Sequence, residues 1–379
     1  MSIVIDDKKI TDINISNKNV QKIVDELTGK IIFEKTKPVS NEYFYIENTF
    51  DGSNTISLKT TIGSGNITGS HATELQYSKD KTNWITITLN NTNTISMNSG
   101  ERVYFRNDSG GFNWYNDSNS EDKFYTQIKC SNNHKVGGNI NSLLDYNNYN
   151  VAITPYCFYQ LFYENKYLTD ASELIFSKTS LANNCYQSMF DGCTSLTTAP
   201  TLPATTLANE CYQTMFYDCT SLTTAPKLPA TTLAESCYTA MFRGCNKLTV
   251  APELPATKLV NNCYQTMFMG CTSLTTAPKL PATKLESWCY GTMFKGCTGL
   301  TTTPELPATT LTEGCYYGMF ENCASLNSIT VYADDVSATD CTSYWLSRVA
   351  SSGTFHNLGS ATYSRDASGI PTGWTEVKN

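Results

Sequence analysis

Charge is scarce in this sequence: Asp, Glu, Lys and Arg make up 16% of its 379 residues, and the formal net charge is −7. A nucleic-acid binder needs a basic stripe to displace counterions, and none is present, which argues against that class. No stretch approaches the roughly 18 apolar residues of a membrane span, so membrane insertion is not expected. The opening MSIVIDDKKI is charged by residue 6 and has no apolar run of signal-peptide length, so synthesis in a cytoplasm is expected unless a leader was removed. Histidine is nearly missing, with only His71, His134 and His356. There is no CxxC pair, no phosphate-cradling glycine loop and no nucleophile elbow. The expectation is a non-enzymatic protein with no cofactor and no metal.

What the sequence has instead is repetition. A first cysteine recurs at Cys185, Cys211, Cys237, Cys263, Cys289, Cys315 and Cys341, every interval being 26 residues. A second recurs at Cys193, Cys219, Cys245, Cys271, Cys297 and Cys323, and Phe190 to Phe320 and Leu196 to Leu326 keep the same step. A degenerate first copy begins at Cys157. In CYQTMFYDC the apolar residues Cys211, Met215 and Cys219 fall at i, i+4 and i+8, which predicts one face of a short helix. The following SLTTAPKLPATTL predicts extended chain, with any strand kept short by Pro226 and Pro229. Neither half can bury its apolar side alone, so copies should stack Leu on Leu and Phe on Phe.

The MFxxCxxL core resembles the AFxxCxxL core of BspA-type leucine-rich repeats, found on bacterial surface proteins and in phages of gut bacteria. That resemblance covers about half the chain and implies an α+β fold. The expected order is a β module over 1–37, an Ig-like β-sandwich over 41–136, a leucine-rich-repeat solenoid over 157–340 with a short strand and short helix per unit, and a cap over 341–379.

The fifteen cysteines are expected as buried free thiols. On a helix, Cys211 and Cys219 would lie about 12 Å apart, beyond disulfide reach, though bridges between neighbouring repeats stay open. The residue after the first proline runs Thr201, Lys227, Glu253, Lys279, Glu305, alternating in sign, which reads as register control between stacked strands. The residue after Phe varies instead: Asp191, Tyr217, Arg243, Met269, Lys295, Glu321. Tyr217, Arg243, Met269 and Lys295 are therefore candidate binding residues, weighed against a solvated loop that tolerates any side chain.

Beyond the repeats, Trp84 is expected in or beside the sandwich core. Trp114 and Tyr115, beside Asp117, Asn119, Glu121 and Asp122, suggest a sugar or calcium site, or a simple polar loop. CTSYWLSRVA predicts a helix carrying Trp345 in the cap. Residues 1–37 are too few for a core, so Ile3, Ile5, Ile13, Ile15, Ile31 and Phe33 are expected to dock on a partner, on the chain's own sandwich or on further copies. With the resemblance, these features imply a virion surface protein (head fibre, tail fibre or decoration protein) of phages infecting gut Bacteroidota. Its partners would be other virion proteins through residues 1–37, a host cell-surface glycan or protein, and copies of itself in a homo-oligomer such as a trimer. The alternative is a bacterial cell-surface adhesin whose leader has been removed.

Overall fold

A computed structural model describes the side chains of residues 42–63, 74–90, 92–107, 124–366 and 368–378, with the backbone of 123, of 114–115 and of four short strands between 3 and 34. The chain divides into two compact units, Met1–Ser40 and Asn41–Asn379. In the first, β1 (Ile3–Ile5) pairs antiparallel with β2 (Lys8–Ile10), and β3 (Lys22–Val24) with β4 (Ile31–Glu34). Ile3 and Ile5 thus lie on β1, and Ile31 and Phe33 on β4, while Ile13 and Ile15 fall outside the described residues.

The second unit opens with two sheets. Its strands are β5 (Phe44–Asn48), β6 (Asn54–Ile62), β7 (Glu74–Ser78), β8 (Ile85–Thr88), β9 (Thr92–Met97), β10 (Arg102–Arg106), β11 (Trp114–Tyr115), β12 (Lys123–Cys130) and β13 (His134–Asn139). A tenth, β14 (Leu168–Ile175), comes from the degenerate first repeat. One sheet has the order β14-β13-β5-β10-β7-β8 and the other β11-β12-β6-β9. Period-two burial on β6 sends Asn54, Ile56, Leu58 and Thr60 inward, and Ile56 and Leu58 share an apolar cluster with Phe44, Val103 and Phe105. Trp84 is half-buried, ring edge to face with Tyr43 at 4.8 Å.

An antiparallel sandwich ending near 136 does not account for the edge of the larger sheet. There β13 and β14 pair in parallel, so the first repeat covers what would be an open strand edge. His134 ties this junction. Its Nδ1 lies 3.0 Å from the Asn132 carbonyl and its Nε2 3.0 Å from Nδ2 of Asn165 in the first repeat. The ring is therefore neutral, donating through Nδ1 and accepting through Nε2.

The strand-plus-helix solenoid and the α+β class are overturned. Among the described residues the one helical element is the 3-10 turn Ile140–Leu143, against seventeen strands. CYQTMFYDC is a run of overlapping turns. The amides of Gln213, Met215, Tyr217 and Cys219 donate three residues back, to the carbonyls of Glu210, Tyr212, Thr214 and Phe216. The alternate amides of Tyr212, Thr214, Phe216 and Asp218 donate instead to Cys237, Thr239, Met241 and Arg243 of the next repeat, at 2.8–3.1 Å. A helix would direct every one of those amides four residues back. The chain reverses by placing every fourth residue at positive φ: Glu210 at 56°, Thr214 at 52° and Asp218 at 52°. That four-residue period also puts i, i+4 and i+8 on one face, so the apolar spacing alone could not separate it from a helix.

Along the stack, side chains form columns. Phe216 lies 5.6 Å from Phe242 with rings 1° from parallel, and Tyr238 lies 5.8 Å from Tyr264 at 3°. Sγ of Cys219 donates to the carbonyl of Phe190 at 3.1 Å, and Cys245, Cys271 and Cys297 repeat this contact with Phe216, Phe242 and Phe268. All fifteen cysteines are free and buried. The extended half buries Leu222, Leu228, Ala230 and Leu233.

The stack ends in a parallel sheet of β15 (Ser328–Val331), β16 (Gly353–Asn357) and β17 (Trp374–Lys378). The expected cap helix is again a turn run. Within it Trp345 is fully buried, stacked on Tyr316, with its indole N–H on the Gly369 carbonyl at 2.8 Å.

Two pH limits follow. Burial pushes the His134 pKa down from 6.5 to about 4. The neutral ring is the form the native state prefers, so its contribution is present above pH 6.5 and is lost as pH falls through 4. Urea midpoints should fall between pH 6.5 and 4, and His134→Asn should flatten that limb even if it lowers stability overall. In the opposite direction, burial pushes the thiols of Cys263, Cys271, Cys315 and Cys323 up from 9 to about 12. Stability is full below pH 9 and should decline as pH rises from 9 to 12, read as a falling melting temperature. At pH 8 without reductant, a thiol reagent should count close to fifteen groups after denaturation and almost none before.

Candidate binding surface

The turn run places one of its outward positions directly after each inward Phe. After each inward Phe the chain turns at a positive-φ residue, so the side chain between them stands at the rim of the stack. Asp191, Tyr217, Arg243, Met269, Lys295 and Glu321 occupy that rim and are all half-buried. The structure therefore brings the four sequence-predicted residues Tyr217, Arg243, Met269 and Lys295 into one continuous column. The Arg243 guanidinium lies 5.3 Å from the centre of the Tyr217 ring, a cation–π contact. Nζ of Lys295 pairs with Glu321 at 2.7 Å. Neighbours thus orient the cations, and Met269 lies between them as a polarisable apolar step.

Beside this column runs the positive-φ position itself: Gly192, Asp218, Gly244, Gly270, Gly296. Glycine adopts this conformation freely and leaves a trough of bare backbone. Asp218 breaks the trough at φ 52°. Its carboxylate reaches the space that a side chain at Gly244 would need. Asp191 feels it too: burial first, then the charges of Asp218 and Glu164, push the Asp191 carboxyl up to about 7.

Trp114 and Tyr115 lie on β11, opposite Phe124 and Lys123 of β12. Their side chains, and all of Asp117, Asn119, Glu121 and Asp122, fall outside the described residues. Among the described residues no group of three or more His, Cys, Asp or Glu is arranged to hold a metal ion.

One feature escaped the sequence reading, and one that it did pick out behaves otherwise than expected. Arg106 lies 3.9 Å over Trp84, 4.3 Å over Tyr146 and 6.0 Å from Tyr43, gathering aromatics from three distant segments for which no local pattern exists. The second is the alternating stripe. Among the described residues, no ion pair within 4.0 Å joins Lys227, Glu253, Lys279 or Glu305 to any partner. Register is set by backbone bonds, and these four charges stay free of one another.

The trough makes a direct prediction. Asp218→Gly removes a non-glycine residue from positive φ and a like charge from Asp191. It should raise stability by about 1 kcal/mol at pH 8. The gain should shrink at pH 5, where Asp191 is already protonated; urea unfolding at both pH values measures this. Comparison with family models, with curated proteins and with solved structures found no match to this chain.

Proposed function

We propose that this chain is a non-enzymatic surface protein of a phage particle, a head fibre, tail fibre or decoration protein, whose repeat array displays a binding column. The observation that carries the reading is a contrast within the array. From Cys185 to Cys323 the inward positions repeat the same Cys, Tyr, Met, Phe, Cys and Leu almost without change. The rim position, by contrast, carries an acid, an aromatic, a guanidinium, a thioether, an amine and an acid in succession. Packing accounts for the sameness of the inward positions, and a recognition surface accounts for the chemical variety along the rim. A tyrosine face with an adjacent guanidinium suits a sugar ring carrying an acidic group, or an acidic protein surface. The likeness of the MFxxCxxL core to BspA-type repeats supports display on a biological surface.

In this reading the unit Met1–Ser40 is the anchor to other virion proteins, acting through the isoleucine-rich strands that carry Ile3, Ile5, Ile31 and Phe33, with Ile13 and Ile15 between them. Particles purified by density gradient should yield peptides of this chain in fixed ratio to the major capsid protein. Antibodies against the array should label intact particles, and a chain beginning at Asn41 should fold yet not join them. Recovery of the chain from the envelope of uninfected bacteria, and not from particles, would overturn the virion assignment in favour of an adhesin.

A further inference from the structure

The stripe of the extended half carries a charge order that a second copy of the same chain can complete. Lys227, Glu253, Lys279 and Glu305 are exposed, one per repeat, and have no ion-pair partner among the described residues. Stacked rings set the repeat spacing at 5.6 Å. The uncharged Thr201 precedes the series and the buried Val331 follows it, so the charges form a closed set of four.

Between them lie two apolar grooves of the same make. One, of 420 Å³, is lined by Ala225, Lys227, Leu228, Pro229, Glu253 and Pro255 among others. The other, of 540 Å³, is lined by Lys279, Leu280, Pro281, Pro304, Glu305 and Pro307. The two stand two repeats apart, each with a lysine on one bank and a glutamate on the other.

We infer that two copies of this chain pair face to face through this stripe, their stacks antiparallel, with the two-fold axis passing between Glu253 and Lys279. Reversing the order Lys-Glu-Lys-Glu gives its charge complement. Lys227 then meets Glu305 of the second copy, and Glu253 meets Lys279, each pair occurring twice as an isologous contact requires. The same axis lays each groove on the other groove of the second copy, so their proline banks meet. A parallel pairing in register sets like on like. A parallel pairing offset by one repeat satisfies three pairs, leaves one charge over at each end and does not close.

Lys258 and Lys284 lie five residues further along, and Lys284 lines a separate groove with Thr283, Thr309 and Thr310. They confine the contact to the stripe around the prolines. Four repeats by six extended residues make a face of about 22 by 20 Å, so about 900 Å² is buried over both copies, in the range of weak, transient complexes. The pair is therefore reversible and concentration-dependent. Because its ion pairs sit at a wet surface, it weakens with salt.

Sedimentation of the full chain at rising concentration tests this. The parent should self-associate to a dimer, less so in about 0.5 M salt. Lys227→Glu alone, or Glu305→Lys alone, turns two attractive pairs repulsive and should weaken association about tenfold. Lys227→Glu with Glu305→Lys restores every antiparallel pair across 78 residues of sequence and should return the parent's affinity. Lys227→Glu with Glu253→Lys, which swaps neighbours, should not. All four positions are exposed, and unchanged melting temperatures confirm folding. A chain that stays monomeric, single variants as tight as the parent, or a distant double variant no tighter than its singles overturns the inference. Restoration by the neighbouring double variant in place of the distant one overturns the antiparallel axis.

Discussion

The alternation of backbone amides is the constraint on which the repeat array depends. Every second N–H of the turn run bonds three residues back and every other one bonds the next repeat, so no repeat can satisfy its own backbone. Position along the stack is therefore fixed by main-chain bonds, and the 26-residue period is the condition for those bonds to stay in phase. The arrangement has a direction: in the turn half the donors point toward the C-terminal neighbour. At the start of the stack the carbonyl of Leu161 accepts from the amide of Ile128 on β12, so the sandwich supplies the donor that a preceding repeat would have supplied.

Side-chain choice follows from that backbone. The Phe190 carbonyl already accepts a turn bond from Cys193, and its second lone pair faces the core, where the thiol of Cys219 supplies a compact donor. A larger polar group would not fit the column and an alanine would leave a void. Tyrosine fits less well. The hydroxyls of Tyr186, Tyr238 and Tyr264 are buried and find no hydrogen-bond partner among the described residues. At these positions the flat ring and its neighbour's face account for the residue, and the oxygen is carried at a penalty.

How much of this could be read from the sequence differs by level. The period, the inward set and the free thiols are visible because identical residues at a fixed step leave little choice about which side packs. The conformation of CYQTMFYDC is not visible, because a four-residue turn period and a 3.6-residue helix place Cys211, Met215 and Cys219 on the same face. Glycine at 192, 244, 270 and 296 and asparagine at 184 and 262 were the available signal, since both tolerate positive φ; Glu210, Thr214 and Ala240 at equivalent φ obscured it. The parallel edge of the sandwich was hidden for another reason: β14 lies inside what the period marks as a repeat. The rim column could be listed from spacing, but the contact between Arg243 and Tyr217 needs three dimensions.

The direction of the inter-repeat bonds also has a mechanical meaning. They run along the stack, so tension between its two ends loads each set end-on and in series instead of sharing the load across the whole array. The weakest junction opens first, and its neighbours hold until their own threshold. Each repeat that opens releases 26 residues, about 90 Å of contour where the folded rung occupied only the thickness of a stacked ring. An array of this kind lengthens in steps under pull and dissipates work at each one. A protein tethered at one end and bound at the other could exploit that compliance to stay attached in moving fluid.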